Sequence, residues 1–263
     1  MTHTTIRFDL RSGVAELTLN RPDKLNSFNS EMHAEIRSVL EALAKNPDAR
    51  VLLLTGAGRG FCAGQDLSDR AVSPGGSAVD LGESIEKNYR PLILSLRSLP
   101  MPVIAAVNGV AAGAGANIAL ACDLVLAARS ANFVQAFSKL GLVPDCGGTW
   151  LLPRLIGNAR ALGLTLLGEK LSATQAEAWG LIWRAVDDEQ LMSTARGLAQ
   201  QLAAGPTRGF ARTKQAIYRS WDTDLAGQLD LERDFQRELG QSEDYREGVA
   251  SFLEKRAPKF TGR

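Results

Sequence analysis

A chain of 263 residues can bury a sizeable apolar core in one large domain, or in one core with a smaller helical appendage, and needs no disulfide or metal to hold it. Its formal net charge is only +1, with acidic and basic residues interspersed, so no field of one sign points to nucleic acid or an anionic membrane as a partner. Three cysteines without CxxC spacing (Cys62, Cys122, Cys146), a polar start carrying Arg7 and Asp9, and no apolar run of membrane-spanning length lead to the expectation of a soluble, cytoplasmic protein without a disulfide framework or zinc site.

Ile6 to Leu10 and Val14 to Leu19 are short runs rich in branched apolar residues, parted by Ser12-Gly13, and read as a hairpin. Arg21-Pro22 ends the second run. Over Asn26 to Leu43 the period changes. Met32, Ile36, Val39, Leu40 and Leu43 recur at helical spacing after Asn29-Ser30, predicting a helix with one buried face and His33 on its surface side. The continuous apolar run Val51 to Thr55 predicts a strand buried on both faces. It leads through Gly56 to Gly60 into FCAGQDL at Phe61 to Leu67. The Gly/Pro/Ser-containing stretch that follows, Ala71 to Asp80 above all, is the candidate mobile loop. A helix is expected from Glu83 to Leu96, then a second buried strand from Val103 to Val107. Ala111 to Leu120 reads as helix, Leu124 to Ala127 as strand, and Ala131 to Phe133 as its short continuation. Strand and helix in alternation point to an α/β architecture. From Leu151 onward four or five helices are expected, with Ser172 to Gln175 as a helix start before Trp179.

Two glycine-rich turns, Gly58 to Gly64 and Gly109 to Gly115, each follow a buried strand. If those strands are neighbours, both turns leave the same sheet edge and their N–H groups can converge on a developing oxyanion. Tight turning alone is the other reading of either loop. Neither matches a phosphate-binding pattern. Asp145, between Leu142-Val143-Pro144 and Cys146-Gly147-Gly148, is the candidate proton carrier, because partial burial raises a carboxyl pKa toward a usable base; a turn or helix cap is the alternative. Asp66 reads as a cap after Gly64, and Asp123 as a helix end. His3 and His33 offer no triad, and Cys62 and Cys146 read as packing residues.

The runs FCAGQDL, PVIAAVNGVAAGAG (Pro102 to Gly115) and GLVPDCGGTWLLPR (Gly141 to Arg154), with LTLNRP from Leu17 and FLEKRAPKF ending at Phe260, resemble the crotonase (enoyl-CoA hydratase/isomerase) superfamily over essentially the whole length. That resemblance implies a crotonase-like spiral of ββα units over residues 1–200, and a C-terminal helical trimerisation region over 201–263. It also implies a homotrimer or dimer of trimers and an acyl-CoA substrate, with coenzyme A as part of the substrate, no separate cofactor and no metal. Position by position, the family's two oxyanion-hole N–H donors fall on Gln65 and Ala114, and Asp145 falls where several isomerases and 4-chlorobenzoyl-CoA dehalogenase have their functional aspartate. Contacts to the thioester fall on Lys24, Leu25, Ala63, Gln65, Asp66, Leu67, Gly115 and Phe137, with Lys259 and Phe260 reaching in from a neighbouring subunit. Val110, Leu142 and Trp150 join Phe137 as acyl-pocket walls, or else as core. Hydratases keep two glutamates at the positions of Asn117 and Phe137, neither of which exchanges a proton here. The resemblance therefore implies an isomerase, shifting a 3-enoyl double bond to the 2-position or expanding a ring epoxide to an oxepin as in phenylacetate catabolism. A dehalogenase or hydratase is the alternative, and a noncatalytic RNA-binding relative is disfavoured by the near-neutral charge.

Overall fold

The computed structural model describes residues 3–67 and 80–263; the 71–79 part of the expected loop lies outside the described residues. β1 (Ile6–Arg11) and β2 (Val14–Leu19) form the expected antiparallel hairpin. Ser12 and Gly13 both take positive φ in its turn, as a two-residue connection matched to strand twist requires. α1 (Ser30–Leu43) follows, capped by the Asn29 side chain, which accepts the Met32 N–H at 2.9 Å.

Three successive units then repeat one plan, a buried strand in a large sheet followed by a short strand in a second sheet and a helical segment. The first is β3 (Val51–Gly56) with β4 (Gly60–Cys62), leading to α2 (Leu81–Ser84) and α3 (Arg90–Ser98), which are joined by a π turn at Ile85–Tyr89. The second is β5 (Val103–Val107), β6 (Val110–Ala112) and α4 (Ala114–Leu120). The third is β7 (Leu124–Ala128), β8 (Asn132–Val134), a 3-10 turn at Ala136–Leu140 and α5 (Gly148–Leu167). β9 (Lys170–Ser172), α6 (Ala173–Ala178), β10 (Arg184–Val186) and α7 (Leu191–Ala203) close this part of the chain.

The large sheet has six strands in the order β1-β2-β3-β5-β7-β10, parallel except for the hairpin, and the second has four in the order β4-β6-β8-β9. Every residue of β5 is buried, as its unbroken apolar sequence requires, and α7 packs on β3, β5 and β7. One helix expectation and one strand expectation are corrected. Ala111 to Leu120 is not one helix, because Gly113 takes φ 53° and ψ −124° and parts β6 from α4. Residues 131–133 do not continue β7, because β8 belongs to the other sheet.

His33 is also corrected, since it is 5% exposed, with its ring 4.8 Å from Phe28 and 4.5 Å from Tyr89. The helix that carries Tyr89 covers the face on which His33 lies.

α8 (Thr207–Arg219), α9 (Leu225–Leu239) and α10 (Glu243–Leu253) follow, and since α5 is itself broken at Gly157 (φ 75°, ψ 161°), more helical pieces follow Gly148 than the four or five expected. The buried Lys214 ammonium anchors α8, 2.8 Å from Asp123 and 3.0 Å from the Met101 carbonyl. Asp123 thus ends α4 as an ion-pair partner, and it also accepts the Tyr218 hydroxyl. The tail folds back over α10, where the Asp244 carboxylate accepts the N–H groups of Thr261 (2.7 Å) and Gly262 (2.9 Å). Among the described residues no helix is long and apolar enough to cross a membrane.

Candidate functional site

β3 and β5 are adjacent and parallel, with Thr55 opposite Ala106, so the segments that follow them leave the same sheet edge. Each enters the second sheet at once, where β4 and β6 pair in parallel through Gly60–Val110 and Cys62–Ala111. The glycines here permit backbone contact. A Cβ on Gly109 would sit 2.2 Å from the Arg59 carbonyl oxygen, and one on Gly115 would sit 2.3 Å from that of Cys62. At Gly64 (φ 95°) it would meet the Ala112 oxygen at 2.9 Å and the Ala114 nitrogen at 3.4 Å. Tight turning alone does not account for glycines pressed against a second backbone.

Beyond Gly64 the chain makes one parallel bridge to Phe28. The Phe28 N–H donates to the Gly64 carbonyl (2.7 Å) and the Asp66 N–H donates to the Phe28 carbonyl (2.9 Å), which turns the intervening Gln65 N–H away from Phe28. Ala114 is the first residue of α4, so its N–H has no acceptor within the helix. Among the described residues neither N–H donates to a backbone acceptor. The Gln65 side chain is held elsewhere. Its Nε2 donates to the carbonyls of Phe28 (3.1 Å) and Asp66 (3.2 Å), and its Oε1 accepts the Tyr89 hydroxyl (2.8 Å).

The loop from Arg21 to Phe28 forms a floor beside this edge. Leu25 and Asn26 take left-handed φ values of 47° and 56°, and the Ala63 N–H donates to the Leu25 carbonyl at 2.9 Å. Fully buried Asn26 donates to the carbonyls of Ala57 and Gly60. Asp66 pairs with Arg21 at 2.9 Å, and the N–H groups beyond Leu67 that it is expected to cap lie outside the described residues. Leu25, Ala63, Gln65 and Asp66 are therefore brought together. Lys24 lies next to them and is exposed, and Leu67 is 59% exposed.

Phe137 is buried on the 3-10 turn with its ring over Gly113, 3.7 Å from where a Cβ would be. One helical turn after Ala114, fully buried Asn117 donates from Nδ2 to the Asp145 carbonyl (2.8 Å) and accepts at Oδ1 from Gln135 Nε2 (2.8 Å). Asp145 is half-buried. Its carbonyl also accepts the Gly148 N–H (2.8 Å), and Cys146 and Gly147 follow with φ of 51° and 77° before α5 begins. The segments bearing Ala114, Asn117, Phe137 and Asp145 thus converge around the start of α4. Burial pushes the Cys62 thiol up to about 12, against the opposing Gly64 N–H bond, so it stays protonated and serves as packing.

Three expected residues lie elsewhere in the chain. The Phe260 carbonyl accepts the Arg50 guanidinium at 3.0 Å, and Arg50 precedes β3, at the end opposite Gly56; Lys259 adjoins it with its N–H on Glu247. Trp150 packs tilted against Trp221, ring centres 4.6 Å apart, with the guanidinium groups of Arg97 and Arg154 over its ring at 5.1 and 4.4 Å, so it joins α5 to the C-terminal helices. Leu142 is 41% exposed and Val110 half-buried. Sequence reasoning missed Tyr89, Asn26 and Gln135. Nothing local marks them, since each acts through a hydrogen bond to a distant segment.

The sequence profile of the enoyl-CoA hydratase/isomerase family matches residues 9–263. The chain belongs to that family. It is 62% identical over 254 residues, 97% of either chain, to the 1,2-epoxyphenylacetyl-CoA isomerase of Escherichia coli (strain K12). A Rhodobacter capsulatus relative, 48% identical over the full length of both chains, is named provisionally as an enoyl-CoA hydratase. Among solved structures, the enoyl-CoA hydratase of Bacillus anthracis superposes with a TM-score of 0.91 at 33% identity, over 99% of this chain and 100% of that one. These relatives bear out the crotonase-type α/β fold expected from the motifs, because near-complete coverage at such identity leaves no room for a different architecture.

Proposed function

We propose that the chain is an acyl-CoA isomerase that converts ring-1,2-epoxyphenylacetyl-CoA to oxepin-CoA and shifts 3-enoyl-CoA double bonds to the 2-position. The observation that carries this is its 62% identity, over 97% of both chains, to the E. coli isomerase. The geometry supports it. A thioester carbonyl held by the N–H groups of Gln65 and Ala114 gains about 3 to 4 kcal/mol per donor as its oxygen becomes an enolate. The Asp145 carboxylate takes a proton from the carbon next to the carbonyl and returns it to a more distant carbon. For the epoxide, the carbon–carbon bond shared by the two rings opens, the ring expands, and the proton lost beside the thioester is regained on the ring. No water enters, and one carboxylate suffices. Asn117 and Phe137 offer no second acid–base group, and water addition has no proton donor of its own. Lys24, Leu25, Ala63, Asp66, Leu67 and Gly115 line the path of the thioester, and Phe137 walls the acyl end.

Residues 201–263 are the assembly region of a homotrimer or dimer of trimers, with Lys259 and Phe260 reaching a neighbour's thioester. Apolar side chains left on the surface support this, notably Leu225 (75% exposed), Phe252 (83%) and Leu253 (74%). Sedimentation of the native chain against Phe252→Glu tests it, and a monomeric native chain refutes it.

The reaction is tested by incubating the purified chain with epoxyphenylacetyl-CoA and, separately, a 3-enoyl-CoA, with products identified by mass and ultraviolet spectrum. Unchanged mass with a new spectrum is expected. If both remain untouched while crotonyl-CoA gains the mass of water, the chain is a hydratase.

A further inference from the structure

The proposed isomerisation, on which this inference rests, depends on a carboxylate carried by an irregular turn between the 3-10 segment and α5. Leu142 and Val143 are exposed at 41% and 78%, and Cys146 and Gly147 are consecutive residues in left-handed conformation, which for the cysteine is a strained choice. The Asp145 carbonyl is tied once locally, to the Gly148 N–H, and once to a distant element, through Asn117 Nδ2 at 2.8 Å. Gln135 sets the direction of that amide. With Asn117 Oδ1 engaged by Gln135 Nε2, the Nδ2 edge faces Asp145. The start of α5 closes on the same group, since a Cβ on Gly148 would lie 2.4 Å from Asn117 Nδ2.

Asn117 and Ala114 share one turn of α4, so the element that offers the Ala114 N–H also holds the main chain of Asp145. We propose that Asn117, oriented by Gln135, is a positioning residue that fixes the separation between the carbonyl-polarising N–H of Ala114 and the proton-carrying carboxylate of Asp145. Both amides are neutral at every working pH, so the spacing holds whichever protonation state Asp145 is in. Neither amide exchanges a proton with substrate.

The test is a double-mutant cycle on the isomerase reaction. Asn117→Ala lowers kcat by roughly 10- to 100-fold, the penalty for a carboxylate displaced by up to an ångström. KM and the dissociation constant of an unreactive CoA thioether stay within about threefold, because substrate is not held by Asn117. In an Asp145→Asn background, whose residual rate is followed by single-turnover kinetics, Asn117→Ala has no further effect, because its influence passes through the carboxylate. Gln135→Met, which keeps the volume and removes the donor, shows the same pattern at smaller amplitude and stands in if Asn117→Ala does not fold. An unchanged kcat in Asn117→Ala or, failing that variant, in Gln135→Met overturns the proposal. So does an equal loss in the Asp145→Asn background, which would mark a general structural role. Full activity of Asp145→Asn instead removes the proton carrier itself, and with it both readings. An inactive Asp145→Asn beside a fully active Asn117→Ala sinks the positioning role alone.

Discussion

Replacing Gly115 by alanine tests the contact between the two glycine-rich segments most directly. The new Cβ would stand 2.3 Å from the Cys62 carbonyl oxygen and 2.8 Å from the Cys62 carbonyl carbon. An ordinary carbon–oxygen approach is about 3.3 Å or more, so one backbone must retreat by roughly 1 Å. Cys62 is fully buried in β4 and Gly115 in α4, and no flexible side chain is available to yield. The retreat therefore separates the segment bearing Gln65 from the start of α4. Overpacking of this kind costs about 1 to 3 kcal/mol of stability. A misplacement near 1 Å lowers kcat/KM about 100-fold, which is about 2.7 kcal/mol of transition-state stabilisation. The assay is steady-state isomerisation paired with thermal unfolding. Gly197→Ala is the control, because nothing lies within 4 Å of its Cβ position on the exposed face of α7, and it should gain up to about 1 kcal/mol from helix propensity alone. A Gly115→Ala protein with unaltered kcat/KM and unfolding temperature would refute the close approach of the two backbones.

Lys214→Met leaves the largely buried Asp123 carboxylate, 13% exposed, without its ammonium partner and should cost about 3 kcal/mol in chemical denaturation, with kcat of the folded protein unchanged. Glu247 is held at about 2, chiefly by hydrogen bonds from Arg256, with the Lys259 N–H adding to them. Its folded value lies below the ordinary carboxyl range, so its contribution to the tail is complete above about pH 4.5 and fades as pH falls toward 2. The Lys259 amide resonance should report that transition, and Glu247→Gln should abolish it. Asn117→Glu should not confer water addition on crotonyl-CoA, because it buries a carboxylate against the Asp145 carbonyl; measurable hydration by that variant would contradict the packing described for α4.

The unbroken runs VLLLT and VIAAV could be placed as buried strands because nothing polar interrupts them, and α1 because its period and its Asn29 cap agree. β4 and β6 escaped, and β8 was read as a continuation of β7 rather than as a strand of the second sheet, for the opposite reason. Three residues carry no period, and each strand exists only through a partner more than 20 positions away. The face of α1 bearing His33 was misjudged because a helix's own pattern does not reveal what a later helix lays over it. At the proposed site, Gln65, Ala114 and Asp145 could be singled out by their family motifs. The amide pair of Asn117 and Gln135, 18 residues apart, could not, since a buried hydrogen bond between distant side chains leaves no local trace.

The composition of α4 explains why such a pair matters here. All seven of its residues are buried, and the first three are Ala, Gly and Ala. Small side chains let neighbouring main chain come against it from different directions, with Gly64 near the Ala114 nitrogen and the Cys62 carbonyl against Gly115. The start of α5 comes against Asn117, the one polar side chain in the helix. A helix hemmed in by backbone has little freedom to shift, which suits the proposed role of the Ala114 N–H toward a bound carbonyl, since a fixed donor needs little reorganisation as charge develops. The same confinement limits what position 117 can hold. A side chain there must donate to the Asp145 carbonyl and accept from Gln135 at once, which an amide does and an ionised carboxylate does not. Holding the proposed proton carrier Asp145 in place and excluding a carboxylate from α4 are thus one structural choice, made by the hydrogen bonds of a single buried amide.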